Sequence, residues 1–374
     1  MGREVPRLAH GQELQSGNSI DTATKRPEEM LISIVESGIE QVPPEFIRPP
    51  HERVSRLDSD SQGPHEQIPV IDLSMMDDEG AGKRQVLAEI VRACEDWGCF
   101  HLINHGVPAL VMDAAMKATK GFFALPAAER EKYRMTKIGG KGYGQAYGGQ
   151  TKDWNDRLFL TDFSGEEEPK SERGAFFDLV LTNPPGAQEA LETYGEAVYK
   201  LVQRTMVLVS EALGQSPEFL STEIPLRFGT ITNHYPPCPQ PDLVLGLLPH
   251  EDGGIFTFLH QDEVLGLEVL KDERWVPVPP VEHALIFMVA DLLQIVGNDR
   301  FKSVTHRVLA GPIARTVMAN FAVTGNDAVI QPAPELCSDL EPPAFRSVVY
   351  KDYLKMLLRD DIHAKRLEAF RLGL

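Results

Sequence analysis

The chain has 374 residues, 42% hydrophobic and 25% charged, the balance of an ordinary globular protein long enough to bury a full core. A net charge of −18 argues against nucleic acid as a partner, because phosphate neutralisation needs clustered Lys and Arg. Four scattered cysteines, Cys94, Cys99, Cys238 and Cys337, argue against a disulfide framework or zinc knuckle and fit a reducing compartment.

The N-terminus, Met1-Gly2-Arg3-Glu4-Val5-Pro6, has no apolar leader pattern and no hydroxyl at the place a myristoylation signal needs. The longest apolar run, Ala284–Ala290, is too short to span a bilayer. A soluble, cytoplasmic, monomeric protein with no membrane partner is the expectation. Residues 1–28 are polar and aperiodic and read as disordered. Residues 29–67 read as an arm and linker. The arm has a short helix over Glu29–Gly38, then an extended stretch with Pro43, Pro44, Pro49 and Pro50, then a polar connection over Leu57–Gln67.

Residues 68–225 mix strands and helices. A strand is predicted at Ile68–Leu73 and a helix over Gly82–Trp97, with Val86, Ile90 and Ala93 on one stripe. Gly98 stops that helix, Cys99–Ile103 is a second strand, and Asn104–Pro108 is a turn. Helices resume at Ala109–Ala124 and Ala187–Leu213. Between them Gly139–Gly149 is a Gly/Tyr-rich loop, either a lid or a plain connection. Its Gly139-Gly140-Lys141-Gly142 lacks the spacing of a phosphate loop.

Residues 226–325 change texture. Short strands are predicted at Gly229–His234, Val244–Leu248, Gly254–His260, Leu267–Leu270, Trp275–Val278, Leu285–Val289, Ser303–Leu309 and Thr316–Val323. Turn residues separate many of them, as at Lys271-Asp272-Glu273 and Gly297-Asn298-Asp299. About eight such strands point to a jelly roll of the cupin kind within an α+β fold. Residues 326–374 form a tail, helical over Lys351–Leu374.

Three residues in this second half carry chemistry. His250 and Asp252 form a His-x-Asp motif, and His306 lies inside Lys302–Val308. Side chains alternate along a strand, so His306 shares a face with Val304 and Val308. A lone His on an apolar face is ordinarily a core histidine. The upstream His-x-Asp favours a metal site instead, a 2-His-1-carboxylate face as in non-haem Fe(II) oxygenases. Zinc competes, since two His and one Asp also suit it.

Arg315, Val317, Ala319 and Phe321 share the inward face of the last strand. A buried Arg needs a charged partner. It is either a structural salt bridge or the grip on a dicarboxylate such as 2-oxoglutarate. Asn233 and Tyr235 end an earlier strand and could donate into the same cavity. Phe321 is either core or a platform for a flat substrate, and Tyr143 and Tyr147 in the Gly-rich loop carry the same two readings. Asp291 and Asn298 read as turn residues. His101 and His260 are not at ligand spacing and read as structural.

In combination these motifs resemble the plant 2-oxoglutarate/Fe(II)-dependent dioxygenases of specialised metabolism, the group with anthocyanidin synthase and flavonol synthase. The resemblance spans roughly residues 30 to 325. It rests on Ile68–Leu73, Trp97–Phe100, Asn104–Pro108, Asn233–Pro239, His250-Glu251-Asp252 and Lys302–Arg307. It implies a double-stranded β-helix core with flanking helices. It implies Fe(II) on His250, Asp252 and His306, and 2-oxoglutarate on Asn233, Tyr235 and Arg315. The implied activity is an oxidoreductase that uses O2, with ascorbate as reductant. It would hydroxylate or desaturate a small phenolic or flavonoid-like metabolite and release succinate and CO2. An alkaloid or a hormone-like acid is the alternative substrate. A binding module that has lost its chemistry and an ascorbate-dependent oxidase are the rival functions.

Two departures stand out. The family's Arg-x-Ser is Arg315-Thr316-Val317 here, so one hydroxyl is missing. The Lys before the Asn-x-Tyr and the Glu after the Phe, found in anthocyanidin-synthase-like enzymes, are replaced by Ile231 and Val323.

Overall fold

Period-two alternation in the second half of the chain becomes two β-sheets with an apolar layer between them. The computed structural model describes residues 30–54, 67–76, 80–137, 140–145, 151–163, 177–357 and 366–373. The segment 1–28, expected to be disordered, most of the polar linker and Tyr147 lie outside the described residues.

The strands of these two sheets are β1 (Val70–Asp72), β2 (Cys99–Ile103), β3 (Gly142–Gly144), β4 (Asp156–Phe159), β5 (Arg227–Tyr235), β6 (Leu247–His250), β7 (Phe256–Gln261), β8 (Leu267–Lys271), β9 (Arg274–Pro277), β10 (Leu285–Val289), β11 (His306–Val308) and β12 (Arg315–Val323), and a separate two-stranded pair joins Val329–Ile330 to Val348–Val349. Eight of them form one sheet in the order β1-β2-β10-β7-β12-β5-β4-β3, and four form another in the order β6-β11-β8-β9.

Side-chain parity sorts the residues of the large sheet. Ile286 and Met288 of β10, Leu259 of β7, and Val317 and Ala319 of β12 share an apolar cluster with Leu267, Val269 and Val308 of the small sheet. Their neighbours Phe287, Phe256, Phe258, Met318 and Ala322 turn the other way, into a core built with the helices. The helices are Ala81–Asp96, Ala109–Phe123 and the long Ala187–Ala212. Each fully buried Phe or Leu contributes about 1.5–3 kcal/mol relative to exposure. No helix among the described residues is long and apolar enough to cross a membrane.

Several expected boundaries move for visible reasons. Ser303–Leu309 contracts to β11 because Lys302 N–H donates to the Cys94 carbonyl and Val304 N–H to the Val289 carbonyl, outside the ladder. The expected strand at Val244–Leu248 becomes a 3-10 turn at Pro241–Leu243 followed by β6. Asp291, expected in a turn, opens a buried helix over Asp291–Val296. Asn298 does sit in a turn, at φ +50°. Asp272 and Glu273, at φ +48° and +62°, close the β8–β9 hairpin in the left-handed conformation that a two-residue turn favours. Gly98 ends its helix at φ +69°, where a Cβ would run into the Lys302 carbonyl. In the tail, Tyr350–Leu357 is helical and Arg366–Ala369 is a 3-10 turn.

Candidate metal centre and its cavity

The two histidines of the sequence motif lie opposite each other. β6 and β11 run antiparallel, and His306 pairs directly with His250. Directly opposed residues present their side chains on one face. The rings sit 4.1 Å apart, centroid to centroid. Asp252 follows two residues later, with Oδ1 3.7 Å from His250 Nε2 and 3.9 Å from His306 Nε2. One ligand atom from each of the three residues lies within 4.8 Å of the others.

Hydrogen bonds behind the triad set its chemistry. His250 Nδ1 is 2.8 Å from the Leu248 carbonyl, and His306 Nδ1 is 3.1 Å from the Val304 carbonyl. A carbonyl only accepts, so each Nδ1 carries the proton and each Nε2 keeps a lone pair facing the gap. Thr257 Oγ1 donates to Asp252 Oδ2 at 2.5 Å, which leaves Oδ1 facing the histidines. Burial, then the neighbouring His306, holds His250 well below the usual imidazole range, so it stays a neutral ligand. This donor set suits a divalent iron and leaves coordination positions open.

A second polar group lies on the large sheet. Arg315 pairs with Tyr235, and Val317 with Asn233, across β12 and β5. Arg315 is 3% exposed. Its Nε donates to the Val264 carbonyl at 3.0 Å and its Nη2 to Gln261 Oε1 at 2.9 Å. Its Nη1 is buried and makes no hydrogen bond among the described residues. No carboxylate pairs with it within ion-pair distance among the described residues, so the structural salt bridge weighed for Arg315 does not form. An unpaired guanidinium N–H in a dry wall is costly, and a carboxylate of 2-oxoglutarate would fill it.

One cavity contains both groups. It is lined by the triad, by Asn233, Tyr235 and Arg315, and by an apolar wall that includes Ile231, Leu247, Leu259, Val317, Phe321 and Val323. Phe321 therefore stands where the sequence placed it, edge-on to Phe163 at 5.7 Å. Tyr143 does not. It is fully buried in β3, away from this cavity, and donates to Asp156 Oδ2 at 2.7 Å. The same carboxylate accepts the backbone N–H groups of Leu31 and Ile32. That buried hub needed a donor, so this tyrosine is a structural member of it. Sequence reasoning missed Arg157, Phe163, Tyr350, Leu354 and Arg366, all of which line the cavity. Their elements lie far away in the chain, and no periodicity or spacing links them to the triad.

Comparison with known proteins matches these features. Residues 68–178 match the family model of the non-haem dioxygenase in morphine synthesis N-terminal region, and residues 229–324 match that of the 2OG-Fe(II) oxygenase superfamily. The chain is 34% identical over 330 residues to jasmonate-induced oxygenase 2 of Arabidopsis thaliana, covering 86% of each. It is 35% identical over 298 residues to 1-aminocyclopropane-1-carboxylate oxidase 4 of Solanum lycopersicum, covering 78% of this chain and 90% of that one. The crystal structure of JOX2 in complex with 2OG, Fe and JA superposes with a TM-score of 0.80 at 31% identity, covering 93% of this chain and 99% of that one. These relatives do not single out the anthocyanidin synthase and flavonol synthase group.

Proposed function

The chain belongs to the 2OG-Fe(II) oxygenase superfamily, and on that premise we propose that it oxidises a small, largely apolar acid of the hormone-like kind. When bound, Fe(II), 2-oxoglutarate and O2 supply the oxidant, with ascorbate as reductant and succinate and CO2 as co-products. His250, Asp252 and His306 hold the metal. Arg315, with Asn233 and Tyr235, holds 2-oxoglutarate. The apolar wall excludes water and presents a C–H bond of the substrate to the metal face. No side chain has to move a proton for that C–H to be oxidised. For compartment and assembly we keep the sequence expectation of a cytoplasmic monomer; the four free thiols fit a reducing compartment.

One observation carries the reading. Among the described residues the buried Arg315 Nη1 makes no hydrogen bond, and Arg315 shares a cavity with two imidazoles whose lone pairs face each other and Asp252. The substrate class is supported by the wall. Ile231 and Val323 stand where flavonoid enzymes of the resembled group carry Lys and Glu, so ring hydroxyls lose two polar partners. The relatives point to small acids as well: one was solved in complex with 2OG, Fe and JA, and another is named a 1-aminocyclopropane-1-carboxylate oxidase. A flat phenolic stacked on Phe321 is the second reading, favoured by the aromatic edge that Phe163 and Phe321 build.

The test is a substrate panel read by succinate release with Fe(II), ascorbate and O2. Jasmonic acid and small indole or phenyl acids should stimulate succinate release, and flavanones and dihydroflavonols should not. Stimulation by the phenolics alone would overturn the substrate class. Product formed without 2-oxoglutarate would identify an ascorbate-dependent oxidase instead.

A further inference from the structure

We propose that Arg366, from the C-terminal tail, binds the carboxylate of the substrate and so selects acids over their neutral analogues. This rests on the dioxygenase reading above. Arg366 is 2% exposed, opens the 3-10 turn Arg366–Ala369, and lines the same cavity as the triad. Its guanidinium is held on two sides. Nε donates to Tyr353 Oη at 3.0 Å, and Nη2 donates to the Glu251 carbonyl, one residue before Asp252. Nη1 is buried and makes no hydrogen bond among the described residues. The fork is therefore fixed in direction, with one donor left over.

Nearby anions do not fill that donor. Asp291 Oδ2 lies 3.6 Å from Arg366 Nε and accepts from Tyr353 Oη at 2.6 Å. It balances part of the charge while leaving Nη1 unsatisfied. The Glu251 carboxylate accepts from Thr305 Oγ1 at 2.5 Å. Arg315 lies on the opposite sheet and is reserved for the cosubstrate. An anion gains most from a desolvated, pre-oriented guanidinium N–H. Phe163, Phe321, Val323 and Leu354 give the cavity an apolar stretch that suits a hydrophobic body carrying one acidic end, and the cavity's other cation, Arg157, pairs with Asp153.

The tail also fits closely. A Cβ on Gly253 would lie 2.9 Å from the Tyr353 ring, so the Tyr353–Arg366 unit sits directly against the loop that carries Asp252. Arg366 thus joins substrate recognition to the wall of the metal site.

The test uses the full chain with Mn(II) in place of Fe(II) and saturating 2-oxoglutarate, so that ligands bind without turnover. Jasmonic acid, indole-3-acetic acid and phenylacetic acid are each titrated by calorimetry against their methyl esters. At least one acid should bind wild type tenfold or more tighter than its ester, the scale of one charge-assisted hydrogen bond. Arg366→Met should remove that preference by weakening the acid and leave the ester within about twofold. If Arg366→Met does not fold, Arg366→Gln, which keeps an amide donor for Tyr353 or Glu251, carries the same comparison. Equal affinity for acids and esters in wild type, an acid preference that survives both substitutions, or no binding by any acid overturns the proposal. A wild-type protein that fails to bind Mn(II) and 2-oxoglutarate in a separate titration overturns the dioxygenase reading instead.

Discussion

Val317 stands where the resembled family carries the serine whose hydroxyl joins the Arg on a carboxylate. It is 4% exposed, sits two residues beyond Arg315, and shares the cavity wall with it. Thr316 cannot substitute, because its Oγ1 is 3.0 Å from His234 Nδ1 on the other face of the strand. A hydrogen bond to a charged group is worth about 1.5–3 kcal/mol, and replacing Val by Ser gives up some apolar burial. Val317→Ser should therefore tighten 2-oxoglutarate by about tenfold, measured by calorimetry in the Mn(II)-substituted protein. Unchanged affinity would show that the missing hydroxyl is already compensated. At the metal, His306→Ala should lower Mn(II) affinity by at least 100-fold, since it removes one of three donors from a preformed set. Its 2-oxoglutarate binding should fall with it. Arg315→Met, by contrast, should weaken 2-oxoglutarate and leave Mn(II) affinity nearly intact. Parallel loss of both ligands in Arg315→Met would mean that the cavity had collapsed.

The elements most legible in the sequence were those whose pattern is local. The stripe Val86, Ile90, Ala93 gave its helix within a residue or two, because those positions all face one core. The alternation Arg315, Val317, Ala319, Phe321 gave both the strand and its inward face. What stayed hidden was decided by distant partners. Tyr143 looked like a loop aromatic, and only the fold reveals the buried Asp156 that it serves. The helix Asp291–Val296 has an apolar run that periodicity cannot tell from a strand, and its Asp291 N–H is fixed by the Asp252 carbonyl. Gly98 belongs to this scale too. It lets the Ala81–Asp96 helix turn into β2 while the Lys302 carbonyl passes close by, four residues before His306. Gly98→Ala adds a left-handed non-glycine residue and a backbone clash. We expect it to destabilise the fold by about 3 kcal/mol and to weaken Mn(II) binding, read by urea unfolding and calorimetry. A stability loss under about 1 kcal/mol would show that the 302–304 segment yields without strain.

At the scale of the whole molecule, the jelly roll was legible as eight short strands, whereas their division into an eight-stranded and a four-stranded sheet was not. β1 to β4 come from the first half of the chain and join the large sheet through pairings that no local pattern encodes. Packing on the two faces of that sheet also buries imidazoles, and this predicts how stability depends on pH. Burial, the leading cause in each case, holds His101, His234 and His260 down to about 4. Lys120 and Arg130 push His234 the same way, the Pro279 carbonyl opposes the shift at His101, and Asp113 opposes it at His260. In the unfolded chain each returns to about 6.5. Between those values the unfolded state binds protons that the folded state refuses, so stability must fall as pH drops below about 6.5. Each histidine contributes a loss on the order of 2 kcal/mol by pH 5. Urea unfolding at pH 7 and pH 5 should show the folded state markedly weaker at pH 5. His260→Gln, which removes one of these depressed imidazoles, should shrink the difference by on the order of 2 kcal/mol. His260 packs against the Tyr194 ring at 5.5 Å, so the variant is compared with itself at the two pH values to cancel its packing loss. Identical urea midpoints at the two pH values in the wild-type protein would mean that these imidazoles are hydrated enough to take up protons without unfolding.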